Sequence, residues 1–270
     1  MKRDNPAGVG AGTILRRKAN GSFESSEDEV AIEAPLEIRL GNDPIAVTMR
    51  TPGHDAELAA GFLLTEGVIG GVNDLVDLVS DADESRLRVT LAAGNDITPE
   101  SLQRFGTIAA SCGLCGKARL EAIYQHLPPL DQGPALDIPW LLSLPERMRA
   151  AQGNFSRTGG LHAAALFDLA SDVFILREDV GRHNAVDKVI GRALLDHLLP
   201  LNHHLLLVSG RSSFEIVQKA LAARIALVAS ISAPSSLAVN FAREVGMTLI
   251  GFLRPPIFNV YAHVERLVAP

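Results

Sequence analysis

The sequence predicts an α/β protein: a small N-terminal α+β unit followed by a three-layer α/β sandwich. Three observations predict it. Residues 36–64 alternate apolar and polar side chains through a hairpin, then switch to a helical period. After residue 138 a helix and a hairpin lead into three alternating helix–strand units, the order that puts helices on both faces of a sheet. Between them, Pro128-Pro129-Leu130-Asp131-Gln132-Gly133-Pro134 breaks regular structure.

The expected organisation is a tail over residues 1–30, an α+β domain over 31–127, a Pro-rich linker or mobile loop over 128–137 and the sandwich over 138–270. Residues 1–30 are rich in Gly, Ser, Asn and charge. Lacking apolar periodicity, they are expected to stay disordered. Leu36-Glu37-Ile38-Arg39-Leu40 and Ile45-Ala46-Val47-Thr48-Met49 alternate on either side of Gly41-Asn42-Asp43, a strong hairpin signal. Thr51-Pro52-Gly53-His54-Asp55 follows, with a cap-like Thr and a first-turn Pro, and residues 57–64 place Leu58, Ala59, Phe62 and Leu63 on one helical face. Residues 87–91 form a half-buried strand and residues 117–127 a helix. In the second half, helices are expected near 140–150, 184–198, 214–223 and 236–245. Strands are expected at 161–167, 173–176, 205–208, 226–231 and 247–252.

Composition bounds the function. With 270 residues, 47% hydrophobic and 21% charged, the chain is long enough for a substantial core. A formal charge of -6 argues against a nucleic-acid-coating protein while leaving room for a local basic pocket. Two cysteines make no disulfide scaffold and favour a reduced, cytosolic setting. No targeting segment stands out. The longest uncharged stretch, residues 225–242, contains Pro234 and several serines and reads as strand, turn and helix instead of a membrane span.

Both cysteines fall in Ser111-Cys112-Gly113-Leu114-Cys115-Gly116-Lys117, at or just before a helix start. Unsatisfied N–H groups and the dipole stabilise a thiolate there, Lys117 and Arg119 add positive charge, and the glycines permit close approach. Three chemistries fit the spacing: half of a zinc site completed by histidines, a disulfide exchange pair, or a nucleophilic sulfur carrier.

Polar residues crowd three strand-to-helix junctions. Val208-Ser209-Gly210-Arg211-Ser212-Ser213 and Ile231-Ser232-Ala233-Pro234-Ser235-Ser236 each follow a strand and open a helix, so backbone donors, hydroxyls and Arg211 suit a phosphate-bearing ligand. Adjacent parallel strands would bring both onto one edge of the sheet. The third junction runs from Arg177 through Arg182, His183 and Asn184 to Lys188. Thr158-Gly159-Gly160-Leu161-His162 adds a histidine beside permissive glycines. At the last strand, Arg254 suits a phosphate or carboxylate and Phe252 a heterocycle.

These segments, with Thr51-Pro52-Gly53-His54-Asp55-Ala56-Glu57-Leu58 and the Gly251-to-Tyr261 tail, resemble the formate dehydrogenase accessory sulfurtransferase family, FdhD. They span nearly the whole ordered chain in the family's order. The resemblance implies a cytoplasmic homodimer that takes sulfur from a cysteine desulfurase as a persulfide and passes it to the bis-molybdopterin guanine dinucleotide form of the molybdenum cofactor. That cofactor, a bound substrate here, then goes to formate dehydrogenase. Neither nucleic acid nor membrane is an expected partner. It implies a cytidine-deaminase-like second domain, with Cys112 the persulfide carrier and Cys115 assisting or resolving. The deaminase zinc site needs Cys-x-x-Cys at the helix after the third strand. This chain has Arg211-Ser212-Ser213-Phe214 there, which excludes that chemistry, and no zinc is expected. The family's cofactor segment falls on Phe252, Leu253, Arg254, Pro255, Pro256 and Ile257, joined by Ser209, Gly210, Arg211, Ser212, Ser213, His162, Arg182 and His183. Pro255-Pro256-Ile257 replaces a polar, Gly-containing turn, and proline offers no N–H to a ligand. Two other functions fit less of the pattern: a cofactor chaperone without sulfur chemistry, and a thiol-disulfide exchange protein.

Overall fold

The computed structural model describes residues 8–82, 84–93, 128–130 and 133–268. A six-stranded mixed sheet forms its centre, in the order β13-β12-β11-β10-β8-β9. Its strands are β8 (His162–Asp168), β9 (Phe174–Asp179), β10 (His204–Val208), β11 (Leu227–Ser230), β12 (Thr248–Arg254) and β13 (Ile257–Ala262). The β10, β11 and β12 strands run parallel, with Leu205 opposite Leu227 and Leu227 opposite Thr248, while β8, β9 and β13 are antiparallel to their neighbours.

One face carries α4 (Arg182–Leu195), α5 (Phe214–Ala222) and α6 (Ser236–Glu244). Their apolar stripes, among them Val186, Val189, Ile216, Val217 and Phe241, close over Leu166, Leu206, Val228 and Leu249. The other face is covered by α2 (Ile138–Ala151), where Leu141, Leu144 and Met148 pack against Phe167, Leu207 and Ile250. Asp137 starts that helix, its carboxylate accepting from Trp140 N at 2.8 Å. The mixed α/β class and the helix–hairpin–helix–strand order are as the sequence predicts. A second helix, α3 (Gly153–Thr158), follows directly and is too short to show a helical period.

The smaller sheet has the order β4-β3-β6-β5, from β3 (Ala34–Leu40), β4 (Asp43–Arg50), β5 (Leu75–Ser80) and β6 (Arg86–Leu91). Helix α1 (Asp55–Thr65) packs on it and also on α4. Gly61 and Gly191 make that crossing possible. A Cβ on Gly61 would stand 1.9 Å from Asp187 O, and one on Gly191 1.8 Å from Glu57 O. One hydrophobic cluster therefore runs from Leu36 and Ile38 through α1 into α4, α5 and α6. Thr51 is not the helix cap. His54 holds that position in the left-handed region, φ 59°, because Pro52 and Gly53 turn the chain first.

Two expectations are corrected. The part of the supposed tail that is described forms a ribbon, β1 (Val9–Arg17) antiparallel to β2 (Phe23–Ala31), closed through Asn20 and Gly21. It is held by charge instead of a core: Arg16 faces Asp28, Lys18 faces Glu24 and Thr13 donates to Glu27 at 2.9 Å. Val9 is buried at its base, and Arg157 forks onto Glu29. The linker is also fastened where it is described. Arg224 donates to Pro128 O (2.6 Å) and Pro129 O (3.1 Å), Leu130 N donates to Val245 O, and β7 (Leu136–Asp137) pairs with β14 (Leu267–Val268). No helix among the described residues is long and apolar enough to cross a membrane.

Candidate functional site

The carboxyl edge of the parallel strands gathers the polar junctions. Because β10 and β11 are neighbours, their following loops lie side by side: Ser212 bridges Pro234, and Ser235 N donates to Ser212 O at 3.0 Å. The serines divide the work. Ser235 caps α6, its Oγ accepting from Ala238 N at 3.2 Å. Ser209 Oγ accepts from Ala163 N at 2.9 Å and ties β8 to the loop. Ser213 stands at the start of α5 without capping it; its Oγ lies 3.2 Å from His183 Nε2, which also pairs with Glu215 at 2.8 Å. Ser212 Oγ is sealed from solvent with no partner among the described residues.

The turn before α4 is set by Asp179, which is fully buried. One carboxylate oxygen accepts from Gly181 N (2.8 Å) and Asn184 Nδ2 (3.0 Å); the other accepts from Thr51 N (3.1 Å) and pairs with Lys188 Nζ (2.7 Å). Lys188 donates in turn to Thr51 O, and Thr51 Oγ1 accepts from Val180 N. A buried carboxylate with all these partners is satisfied, and its task is to fix where Arg182 and His183 begin the helix.

Beside this edge lies a cavity of about 680 Å³ between α2, α3 and the ends of β10 and β12. Arg149 and Gln152 enter from α2 and its end, Phe155 from α3, His162 and Ser209 from the sheet edge, and Leu253, Arg254 and Pro255 from β12 and the turn after it. Among the described residues, no carboxylate lines it. The Arg254 side chain makes a single protein hydrogen bond among the described residues, from Nε to Ile231 O at 3.3 Å. Arg149 stacks over Phe155, 4.6 Å from the ring centre, and donates to Ser156 Oγ at 3.3 Å. The pKa of His162 is lowered from that of an ordinary imidazole: burial lowers it, Arg182 and His183 lower it further, and Asp179 opposes them only in part. Gly210 leaves room for that imidazole, since a Cβ there would stand 3.2 Å from His162 Nδ1. Two arginines and a histidine, in an acidic protein, thus line a space with otherwise largely apolar walls, a lining chemically suited to an anion.

The FdhD/NarQ family model matches residues 31–268, nearly the whole described chain. The chain belongs to the FdhD/NarQ family. It is 48% identical over 266 residues to a Streptomyces avermitilis protein, each chain covered over 93%, and 49% identical over 262 residues to one from Streptomyces coelicolor, again with 93% of each covered. A Sulfolobus acidocaldarius relative is 44% identical over 253 residues, covering 94% of this chain and 96% of its own. All three are named sulfur carrier protein FdhD. In fold, the chain matches a crystal structure of a Desulfotalea psychrophila protein assigned a formate dehydrogenase accessory role. That match has TM-score 0.78 and 24% identity over 97% of this chain and all of the other.

Set against this FdhD/NarQ chain, the residues singled out from sequence sort into groups. His162, Ser209, Leu253, Arg254 and Pro255 share the cavity. Arg182, His183, Gly210 and Ser213 lie next to it around His162 and the α5 start. Arg211, Phe252, Pro256 and Ile257 are exposed and outside its lining, and Ser212 is buried. Pro255 and Pro256 form the two-residue turn between Arg254 and Ile257. Cys112 and Cys115 lie outside the described residues. The wall supplied by Arg149, Gln152 and Phe155 was missed. Its one sequence signal is polar residues spaced by three at the end of a helix whose other positions are core.

Proposed function

We propose that the protein is a sulfur carrier in the maturation of formate dehydrogenase, acting on the molybdenum cofactor. What supports the sulfur chemistry is near full-length similarity to proteins named as sulfur carriers, together with the Cys-x-x-Cys segment. What supports the cofactor is the cavity, the observation that carries this reading: Arg149, Arg254 and His162 line a space that no carboxylate among the described residues enters. Its volume suits a nucleotide-sized part of a larger molecule. The ligand is bis-molybdopterin guanine dinucleotide, held as substrate, with a phosphate group between the two arginines.

In the first step the Cys112 thiolate attacks the outer sulfur of a persulfide on a cysteine desulfurase. A new S–S bond forms, the old one breaks, and the desulfurase cysteine leaves as a thiolate. The outer sulfur of the Cys112 persulfide then goes to the cofactor as hydrosulfide: the Cys115 thiolate, or an external thiol where Cys115 only assists, attacks the inner sulfur, the bond to the outer sulfur breaks and a disulfide to Cys112 forms. The setting implied by the resemblance is a cytoplasmic homodimer.

The test is the intact mass of the protein after incubation with an active desulfurase and cysteine, beside Cys112→Ala and Cys115→Ala variants. We expect a gain of one sulfur in the wild type, reversed by reductant and missing in Cys112→Ala. No gain in the wild type would overturn the carrier role and leave a cofactor chaperone.

A further inference from the structure

Gln152 is only 4% exposed, yet its side chain has no protein partner among the described residues. Its backbone is occupied. N donates to Arg149 O at 3.3 Å, and O accepts from Ser156 N (3.1 Å) and Ser156 Oγ (2.7 Å). The carboxamide serves none of these bonds. Gln152 lines the cavity, and unlike Ser212 Oγ its amide is not sealed off. A primary amide brings two donors and an acceptor, and closing it away unpaired is unfavourable. It faces the space where a ligand would sit.

The neighbours narrow the ligand. Arg149, three residues earlier, already presents positive charge on the same side, as does Arg254. A phosphate offers acceptors only, so it suits the arginines and would leave the Gln152 carbonyl oxygen facing an anion. A heterocycle whose edge sets a donor beside an acceptor satisfies both ends of the amide. Apolar Met148, Leu161 and Val180 supply flat contact for such a ring.

We infer that Gln152 is a specificity-determining residue: its carboxamide reads the donor–acceptor edge of a purine-type base whose phosphates lie on Arg149 and Arg254. The inference rests on the nucleotide reading of the cavity given above.

The experiment is calorimetric titration of the full chain with three probes: GDP, the 5′-diphosphate of unsubstituted purine riboside, and pyrophosphate. In the wild type GDP should bind about tenfold tighter than the unsubstituted purine, the effect of one good hydrogen-bonded edge. Gln152→Met, of similar length, and Gln152→Leu should erase that preference and leave pyrophosphate affinity unchanged. A preference that survives in both variants overturns the role of Gln152 while the nucleotide site stands. So does a wild type that binds the two nucleotides equally, a result that needs no variant to fold. A wild type that binds neither GDP nor pyrophosphate overturns the cavity assignment itself, and the inference with it.

Discussion

Glu57 sits buried in the first turn of α1, with Arg177 Nε at 2.5 Å, Arg177 Nη2 at 2.8 Å and His54 Nδ1 at 3.4 Å. Burial alone would raise its pKa. The hydrogen bonds and charges of Arg177 and His54 outweigh that and bring it from 4.5 down to about 2. The folded state thus binds this proton more weakly than the unfolded chain does. The stabilisation is complete above about pH 4.5 and is lost as the pH falls towards 2. Glu57→Gln should be less stable at neutral pH and show a shallower loss of stability between those limits, measured by urea unfolding at a series of pH values. An acid slope identical to the wild type would mean that the Arg177 fork carries no net free energy. Thr51 teaches the complementary lesson. Its place before Pro52 looks like a helix cap, but its N–H, carbonyl and hydroxyl all go to the Asp179–Lys188 turn 128 to 137 residues away. Local spacing cannot reveal a partner that distant.

Among the elements, what the sequence revealed is what periodicity encodes. The β3–β4 hairpin and the β10-to-β12 alternation are legible because one or both faces are buried, and burial imposes a period. The β1–β2 ribbon was not, because opposite charges hold it and its tip leaves Leu15 and Phe23 72% and 66% exposed. That the two serine loops lie side by side was legible, since parallel strands dictate where they meet. The α2–α3 wall was not, since Arg149 and Gln152 belong to no motif and become a wall only once α2 covers the sheet. The α1–α4 crossing lies between these cases: Gly61 and Gly191 are visible in sequence, but their pairing is not. Gly61→Ala would drive a methyl group into the α4 backbone at Asp187. Overpacking of this kind costs about 3 kcal/mol, and the cost should appear as a lower denaturant midpoint with an unchanged slope. Full wild-type stability in Gly61→Ala would require the two helices to separate without penalty.

The whole molecule behaves as one core with charged rivets across its seam. The hydrophobic cluster does not stop at the linker: α1 from the first half lies on α4 and α5 from the second. At that seam Lys219 Nζ stands 2.9 Å from both oxygens of Asp187 and 2.9 Å from Thr65 Oγ1, with Glu66 at 3.6 Å. Burial works to raise the pKa of Asp187 and to lower that of Lys219. Their mutual attraction opposes both shifts and keeps Lys219 charged. A pair like this contributes little net stability intact but is costly to break, about 3–5 kcal/mol when one partner is removed, because the other is left buried and unpaired. Lys219→Ala therefore tests whether the halves are coupled. In native-state hydrogen exchange, the slowest amides of β3 and β6 should report the same opening free energy as those of β10 and β11, and the variant should lower both by the same amount. If the small sheet instead opened first, at its own lower free energy, and the central sheet kept its value in Lys219→Ala, the halves would be separate folding units. The cavity between α2 and the sheet would then be independent of α1, whereas a common value ties the placing of Arg182 and His183, through Thr51 and Asp179, to the folding of the entire chain.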